Sequence, residues 1–455
     1  MIQQAVFTKG TQVGELAQQL FPGGIDSSPA SFYKYREAIV KTDDLIVDGE
    51  KIIYEACFQH DEVMCALDIL VNKNGKWYAY EVKSSTGISE THIRDAALQY
   101  HVIQNSGTEL EDFFIVHINT EYTRDGQVDL SQLFNIVSVK KEVLEQQEMI
   151  GKQIPVLMNV IEQEQTPEVK IGLHCTSPYH CNFIGHCWSH LPERSVFDIK
   201  GLHADKKFEL HDNGIIDIMD VPDDYKLTDR QRLQISSYKN GKSTIDKKGI
   251  TEFLSTLKYP LYFVDFETFQ PAIPLYDHSR PYQQIPFQYS LHYKKDKDSK
   301  IEHYEYLAET GIDPRIGFIQ SLLEHTRTAG DIMVYSPFEA TRIKELIADF
   351  PQENKSLEKL LGRLRDLMIP FQKNYYYTPE MDGSHSIKSV LPALVPDMNY
   401  KNLNIADGIS ASYNFENLTA EADLFKVEQT RQDLLEYCKM DTLAMVKILE
   451  VLENV

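Results

Sequence analysis

The sequence predicts an α/β protein in two domains, and three observations lead there. At 455 residues the chain is longer than one ordinary core supports, so it should divide. In the first half two alternating strand patterns, Glu62–Val71 and Gly75–Lys83, precede a helical run and another apolar strand. From Tyr259 onward three strands, a helix, a fourth strand and further helices follow one another.

Taken in order, Thr11–Leu20 has helical periodicity, and the first two strands meet at Asn74-Gly75, a pair suited to a two-residue hairpin turn. Ser89–Gln104 then reads as a helix, Phe113–Asn119 as a strand and Ser138–Gln165 as a long helix, before a cysteine-bearing stretch. A more polar region from Glu193 to Gly249 holds short helical pieces around LHDNGIIDIMDVP. Gly214 there separates two apolar runs as in a helix-hairpin-helix, whose backbone amides can meet phosphates; the plainer reading is a small helical linker. In the second half Pro260–Phe266, Phe287–Tyr293, Ile301–Leu307 and Asp331–Tyr335 read as strands, and Arg315–Thr326, Phe338–Phe350 and Glu428–Leu452 as helices. That order is the order of an RNase H-like fold. The expected boundaries are 1–192, 193–255 and 256–455.

Composition narrows the function. Hydrophobic residues at 42% and charged residues at 25% suit a water-exposed globular chain. No run of 18 apolar residues is present, so no membrane partner is expected. MIQQAVFTKGTQVGE lacks an apolar signal core, which makes a cytoplasmic location the expectation. A net charge of −22 counts against a simple nucleic-acid-binding module, which would be basic. Divalent cations held in carboxylate cages soften that objection locally.

Two groups of residues carry chemistry. In CALDILVNKNGKWYAYEVKSS, Asp68 lies on one strand and Glu81 and Lys83 on the next, two apart and so on one face. Two carboxylates can hold a divalent metal and a water, and the lysine can lower that water's pKa or stabilise the transition state. A helix with Gln99 and Tyr100 follows; by contrast Glu168-Val169-Lys170 repeats the tripeptide with no partner strand and reads as a solvated turn. In LYFVDFETF an apolar run would bury Asp265 and Glu267 unless something cationic satisfied them, and a metal pair is the natural candidate. Glu339 projects from the first turn of a helix, Tyr437 and Asp441 share a face of the last helix, and Asp366 reads as structural. Between the two groups, Cys175, Cys181 and Cys187 are close enough in sequence to bind a metal or cluster, or to be three buried structural cysteines.

The first group resembles the RecB-family nucleases of PD-(D/E)XK, restriction-endonuclease-like fold, including CRISPR-associated exonucleases with an iron–sulfur cluster. The resemblance implies Mg²⁺ or Mn²⁺ at Asp68 and Glu81, a catalytic Lys83, and Gln99 and Tyr100 at the substrate. Glu15 sits where an upstream helix supplies a further metal ligand, its alternative being an exposed helix glutamate. It also implies a 4Fe–4S cluster on Cys175, Cys181 and Cys187; the related proteins take a fourth cysteine from before the first helix, and none precedes Cys57 here. With His174 or His186 as a substitute ligand, Zn²⁺ fits better.

The second group resembles the DEDDy 3′–5′ exonucleases of RNase H-like fold. There four carboxylates hold two divalent metals and a tyrosine orients the attacking water, which maps to Asp265, Glu267, Glu339, Asp441 and Tyr437. Lys388, in SHSIKSVLPAL, falls in the helix before the last motif and is expected at the substrate. Glu339 stands where that family has Asp. The whole order resembles a bacterial domain-of-unknown-function family in which a RecB-like domain precedes a DEDDy-like one; VGELAQQLFPGG, RPYQQIPFQYSLH and LLEYCKMDTLAMV are close to its recurrent segments. The expectation is a metal-dependent nuclease acting on nucleic acid, single-stranded DNA or DNA ends, in repair, recombination or defence, with a helicase or defence-system partner. An RNA-processing 3′–5′ exonuclease and an inactive nucleic-acid-binding scaffold are the alternatives.

Overall fold

A computed structural model describes residues 2–455. The chain is mixed α/β with several sheets and forms two compact units. One takes the chain up to Glu168 together with Gln270–Gln283; the other takes Val169–Phe269 and Gln284–Val455. The cysteine-bearing stretch therefore groups with the second unit, and a short piece from beyond residue 256 groups with the first.

The first unit is a six-stranded sheet in the order β1 (Ile25–Asp26), β2 (Ile52–His60), β3 (Val63–Lys73), β4 (Lys76–Lys83), β5 (Leu110–Ile118) and β6 (Phe134–Ser138). Neighbours are antiparallel except β1/β2 and β4/β5, which are parallel. The β3–β4 turn has Asn74 at φ 56 and Gly75 at φ 83, the left-handed pair that a type I′ hairpin needs. Strand alternation gives the sheet two apolar faces. Leu70 and Ala79 pack with Ala96, Ala97 and Ile103 of helix α1 (Glu90–Asn105) and with Val143 and Ile150 of α2 (Lys140–Glu162). Ile69, Val71 and Tyr80 pack on the other side with Val13 and Ala17 of the N-terminal helix Ile2–Gln18. Ser89 caps α1 by accepting from the His92 backbone N–H, the local interaction that starts this helix.

The second unit holds a five-stranded sheet and a small pair, β7 (Thr244–Ile245) with β13 (Tyr376–Tyr377). The large sheet runs β10 (Glu302–Leu307), β9 (Ile285–Lys294), β8 (Leu261–Phe269), β11 (Asp331–Val334), β12 (Leu364–Asp366). The β8/β9 and β9/β10 pairs are antiparallel, whereas β8/β11 and β11/β12 are parallel. Phe318, Ile319 and Leu322 of one helix and Ile343 and Leu346 of α3 (Phe338–Asp349) bury against Tyr262, Val264, Ile332 and Val334. The 30-residue helix α4 (Leu424–Glu453) is tied to β9 by the Gln288 amide donating to Leu434 O and by Ser290 bonding Thr442. Around Gly214 the helix pair of the helix-hairpin-helix alternative is not formed. Gly214, at φ 80, follows the helix Ala204–Asp212, and the next apolar run makes only a 3₁₀ turn, Ile218–Asp220. Its Ile218 and Val221 join Val196, Ile199 and Leu210 in a small core, a destination that fixes them in a turn.

Gly330, which enters β11, has φ 141, and a Cβ there would lie 2.1 Å from Pro260 O at the head of β8. Gly330→Ala should therefore destabilise the second unit by more than about 1 kcal/mol. At roughly 2–4 °C per kcal/mol the loss is readable by calorimetry, and an unshifted transition would contradict this account of the strand entry.

Two candidate metal centres

The first candidate centre lies on β3 and β4. The β3/β4 register ends at Ile69↔Tyr80, so its next rung brings Asp68 and Glu81 together. Asp68 Oδ2 accepts from the Val82 backbone N–H at 2.6 Å. Lys83 Nζ donates to Glu81 Oε1 at 2.8 Å and to Asp95 Oδ2, from α1, at 2.5 Å. Glu81 is only 7% exposed, and its other oxygen, Oε2, is buried with no hydrogen-bond partner. Burial, then the Asp68 charge, pushes Glu81 up to about 8 despite the opposing Lys83 ammonium. Asp68 is pushed up to about 6, mainly by burial, against the Val82 N–H that stabilises its anion. For Lys83 burial works against the charge, but Glu81 and Asp95 outweigh it and hold the ammonium above its ordinary range. Lys83 is thus a fixed cation.

The other residues expected here are placed as follows. Gln99 lies one helical turn beyond Asp95 on α1, with its Oε1 buried and unpartnered. Tyr100, next to it, joins the hydrophobic core. Glu15 is exposed, half a turn away from the buried stripe of Val13 and Ala17, so its helix turns it outward. The residue the sequence reading missed is Glu55 on β2. The β2/β3 pairs Tyr54↔Ile69 and Ala56↔Leu67 set Glu55 opposite Asp68. Burial, then the charges of Glu81 and Asp26, pushes Glu55 up to about 7. A lone acid within the apolar run IIYEACF was the available signal.

The second candidate centre gathers its residues from β8, α3 and α4. Asp265 and Glu267 are two apart on β8, and with Cys438 their ligand atoms all lie within 4.8 Å of one another. Among the described residues no other His, Cys, Asp or Glu trio meets that spacing. Glu267, Glu339 and Asp441 are buried, and Glu339 Oε2 has no partner. Burial, then the neighbouring Asp441 charge, holds Asp265 and Glu267 well above the carboxylate range. Burial also pushes Glu339 up to about 8 and Asp441 up to about 6. Asp366 accepts from the backbone N–H groups of Ser336 and Met368, fixing the turn at Ser336 (φ 129) that leads into α3 and Glu339. It is a strut for that turn.

Tyr437 lies one turn before Asp441 on α4, as expected. Lys388 Nζ donates to Ala406 O at 2.8 Å and sits 5.5 and 5.4 Å over the rings of Tyr400 and Tyr437, and its charge favours ionised Glu267 and Asp441. Two neighbours were missed in the sequence. Tyr400 donates its hydroxyl to Asp441 Oδ1 at 2.6 Å, and Cys438 Sγ lies 3.7 Å from Asp265 Oδ2. Cys438 was visible as the residue after Tyr437; nothing local marks Tyr400, 41 residues from its partner.

Of the cysteines between the groups, Cys175 is buried and Cys181 and Cys187 are half-buried, all three free. The chain doubles back there, with Cys181 N–H donating to Cys175 O and Gly172 N–H to Cys175 Sγ. The three sulfurs are wider apart than one tetrahedral zinc requires, about 3.8 Å between thiolates from Zn–S of about 2.3 Å.

A protein-family profile described as Domain of unknown function (DUF2779) matches residues 262–386, from β8 through Glu339 to just before Lys388. Two similar proteins are "Uncharacterized protein UU173" of Ureaplasma parvum and "Uncharacterized protein MG366 homolog" of Mycoplasma pneumoniae. The first is 27% identical over 53% of this chain and 38% of its own length. The second is 27% identical over 45% of this chain and 34% of its own length. The matches therefore span little more than a third of these relatives. No helix among the described residues is long and apolar enough to cross a membrane.

The raised carboxylates dictate a pH dependence. Glu55, Asp68, Glu81, Glu339 and Asp441 have folded values of about 6 to about 8, against about 4 for unfolded chains. The folded state then binds more protons, so the stability they contribute is present at low pH and lost as pH rises through that window. In EDTA the melting temperature should fall between about pH 5 and pH 8.5, and Mn²⁺ should reverse much of the fall. Glu81→Gln and Glu339→Gln should each flatten the profile, which a diffuse effect of the −22 net charge would not do. A flat metal-free profile would sink the argument.

Proposed function

We propose that this chain is a divalent-metal-dependent nuclease with two centres, a RecB-like PD-(D/E)XK site in the first unit and a DEDDy-like, RNase H-type site in the second. The observation that carries the proposal is that each unit buries a carboxylate oxygen, Glu81 Oε2 and Glu339 Oε2, with no donor to meet it. A buried polar oxygen left without a donor is costly for a fold to keep, and carboxylate oxygens are the ligands that Mg²⁺ and Mn²⁺ favour. The strand order of the second sheet supports the reading, with three antiparallel strands flanked by two parallel ones and carboxylates on the central β8.

In the first centre Asp68 and Glu81 would hold the cation; in the second, Asp265, Glu267, Glu339 and Asp441. A bound cation supplies an acidified water and shields charge on the phosphate. The chain does the rest. Lys83, clamped between Glu81 and Asp95, presents a fixed positive charge to the phosphorane-like transition state. Tyr400 fixes the Asp441 carboxylate, and the Tyr437 hydroxyl, which meets the same carboxylate, would orient the attacking water. Lys388 offsets the excess of negative charge where a phosphodiester must approach. The substrate we propose is DNA, at single strands or ends, and Cys175, Cys181 and Cys187 would anchor an iron–sulfur cluster.

The test is Mn²⁺- or Mg²⁺-dependent degradation of single-stranded DNA and RNA labelled at either end. Asp265→Ala should abolish 3′-end trimming, and Lys83→Ala should cut the remaining cleavage by about 10²–10³-fold. Trimming of RNA but not DNA would transfer the reading to RNA processing. Absence of cleavage of every substrate by the wild-type chain would overturn it.

A further inference from the structure

We propose that Glu55 is a third carboxylate ligand of the divalent cation at the first centre, completing a row with Asp68 and Glu81. The proposal rests on the reading of that centre as a metal site and gives Glu55 the place that Glu15, turned outward, leaves open.

The row follows from register. Along β2 and β3 the pairs Ile53↔Leu70, Tyr54↔Ile69, Ala56↔Leu67 and Cys57↔Ala66 are continuous, so the rung skipped between them is Glu55 with Asp68. On the other side of β3 the register continues to Glu81. Three carboxylates therefore occupy one rung across three adjacent strands, where directly opposed side chains come within about 5 Å. Like charges so placed repel, and an ordinary sheet avoids the arrangement.

The backbone is bent at this rung. Glu55 has φ 52, an uncommon value for a residue with a side chain, and the strain is confined to the point where the ladder pairing lapses. The apolar alternation also changes phase there. Ile53 and Ala56, three apart on β2, reach the same core, as do Leu67 and Leu70 on β3. Both strands thus spend an extra residue at the acidic rung, while the apolar side chains on either side keep their burial.

Charge is out of balance at the rung. Among the described residues Lys83 is the one cationic side chain bonded to the group, through Glu81 and Asp95, and the charges that bear on Glu55 are those of Glu81 and Asp26. Glu81 is more than nine-tenths buried and its Oε2 points to no donor. A hard divalent cation that takes several oxygen ligands matches what is missing. Glu55, Asp68 and Glu81 do not meet the 4.8 Å spacing shared by Asp265, Glu267 and Cys438, so binding must draw the carboxylates together.

Calorimetric titration of Mn²⁺ into the full chain carrying Asp265→Asn, which silences the second centre, reads this site alone. Adding Glu55→Gln should weaken Mn²⁺ binding at least about tenfold, the smallest loss usual even for an outer-shell partner. Adding Glu15→Gln should change nothing. Melting curves guard against misfolding. In EDTA the Glu55→Gln chain should melt no lower than its parent, because a repelling charge is gone, and Mn²⁺ should raise its melting temperature much less. Equal Mn²⁺ titrations for parent and Glu55→Gln, or a parent that binds no Mn²⁺, would overturn the assignment. Glu55-dependent Mn²⁺ binding in a chain that cleaves nothing would uphold the ligand and remove the nuclease reading. Cleavage with Mn²⁺ binding indifferent to Glu55 would do the reverse.

Discussion

Buried like charge is the constraint on which both units depend. Glu55, Asp68 and Glu81 on one sheet, and Asp265, Glu267, Glu339 and Asp441 around the other, stand in surroundings that disfavour their ionised forms. A fold can keep such groups only if its remaining contacts outweigh the cost and if no local relaxation lets the carboxylates swing into water. Both conditions are visible. β8 reads LYFVDFETF, with Leu261, Tyr262, Phe263, Val264, Phe266 and Phe269 all buried around its two acids. β4 carries Glu81 between Tyr80 and Val82, whose side chains belong to the opposite apolar face.

The sheets also decide where the acids stand. In the second unit Asp265 and Glu267 are in the C-terminal half of β8, Glu339 follows the C-terminal end of β11, and Asp366 ends β12; these three strands are mutually parallel. In the first, Glu81 and Lys83 end β4, the strand parallel to β5. Parallel strands release their chains at one edge, and the loops and helices leaving that edge can converge where backbone pairing stops. Asp366 shows how the convergence is stiffened, holding two backbone amides of neighbouring turns. Tyr400 and Lys388 add a second layer, in which a hydroxyl and an ammonium partly offset charge that Asp441 and Glu267 cannot share with each other.

What was legible in the sequence is what local pattern determines. The Asn74-Gly75 turn, the strand pair around it and the i,i+4 placing of Tyr437 and Asp441 depend on spacing, and spacing is written in the chain. Glu55 was hidden because its meaning comes from a strand pairing and from a change of phase that no period-two reading contains. Tyr400 was hidden because a loop carries it to a helix 41 residues away. Glu15 misled for the opposite reason. A motif places a residue at a position along the helix, but the buried stripe of Val13 and Ala17 decides which way it faces. Gly214 raised its alternative for a similar reason, since two apolar runs flanking a glycine suggest two helices until the small core around Val196 and Leu210 claims the second run as a turn.

The same competition between local and distant demands explains the interleaving of the two units. The connection Gln270–Gln283 leaves β8 three residues after Glu267, yet Ala272, Ile273 and Tyr282 complete the apolar cluster built on Ile69, Tyr80 and Val116 of the first sheet. Arg124 donates to Pro274 O and Leu275 O, Gly126 N–H donates to Asp277, and the Tyr282 hydroxyl donates to Ser84 O, the carbonyl that follows Lys83. Tyr282 keeps φ at 58 to do so. One unit therefore cannot finish its core until the chain has passed residue 283, well into the other. Domain-by-domain folding from the N-terminus, the usual economy of a long chain, is closed to it. Lys83 thus ends a strand whose next carbonyl is held by a residue about two hundred positions later, so its surroundings are finished only when most of the protein exists.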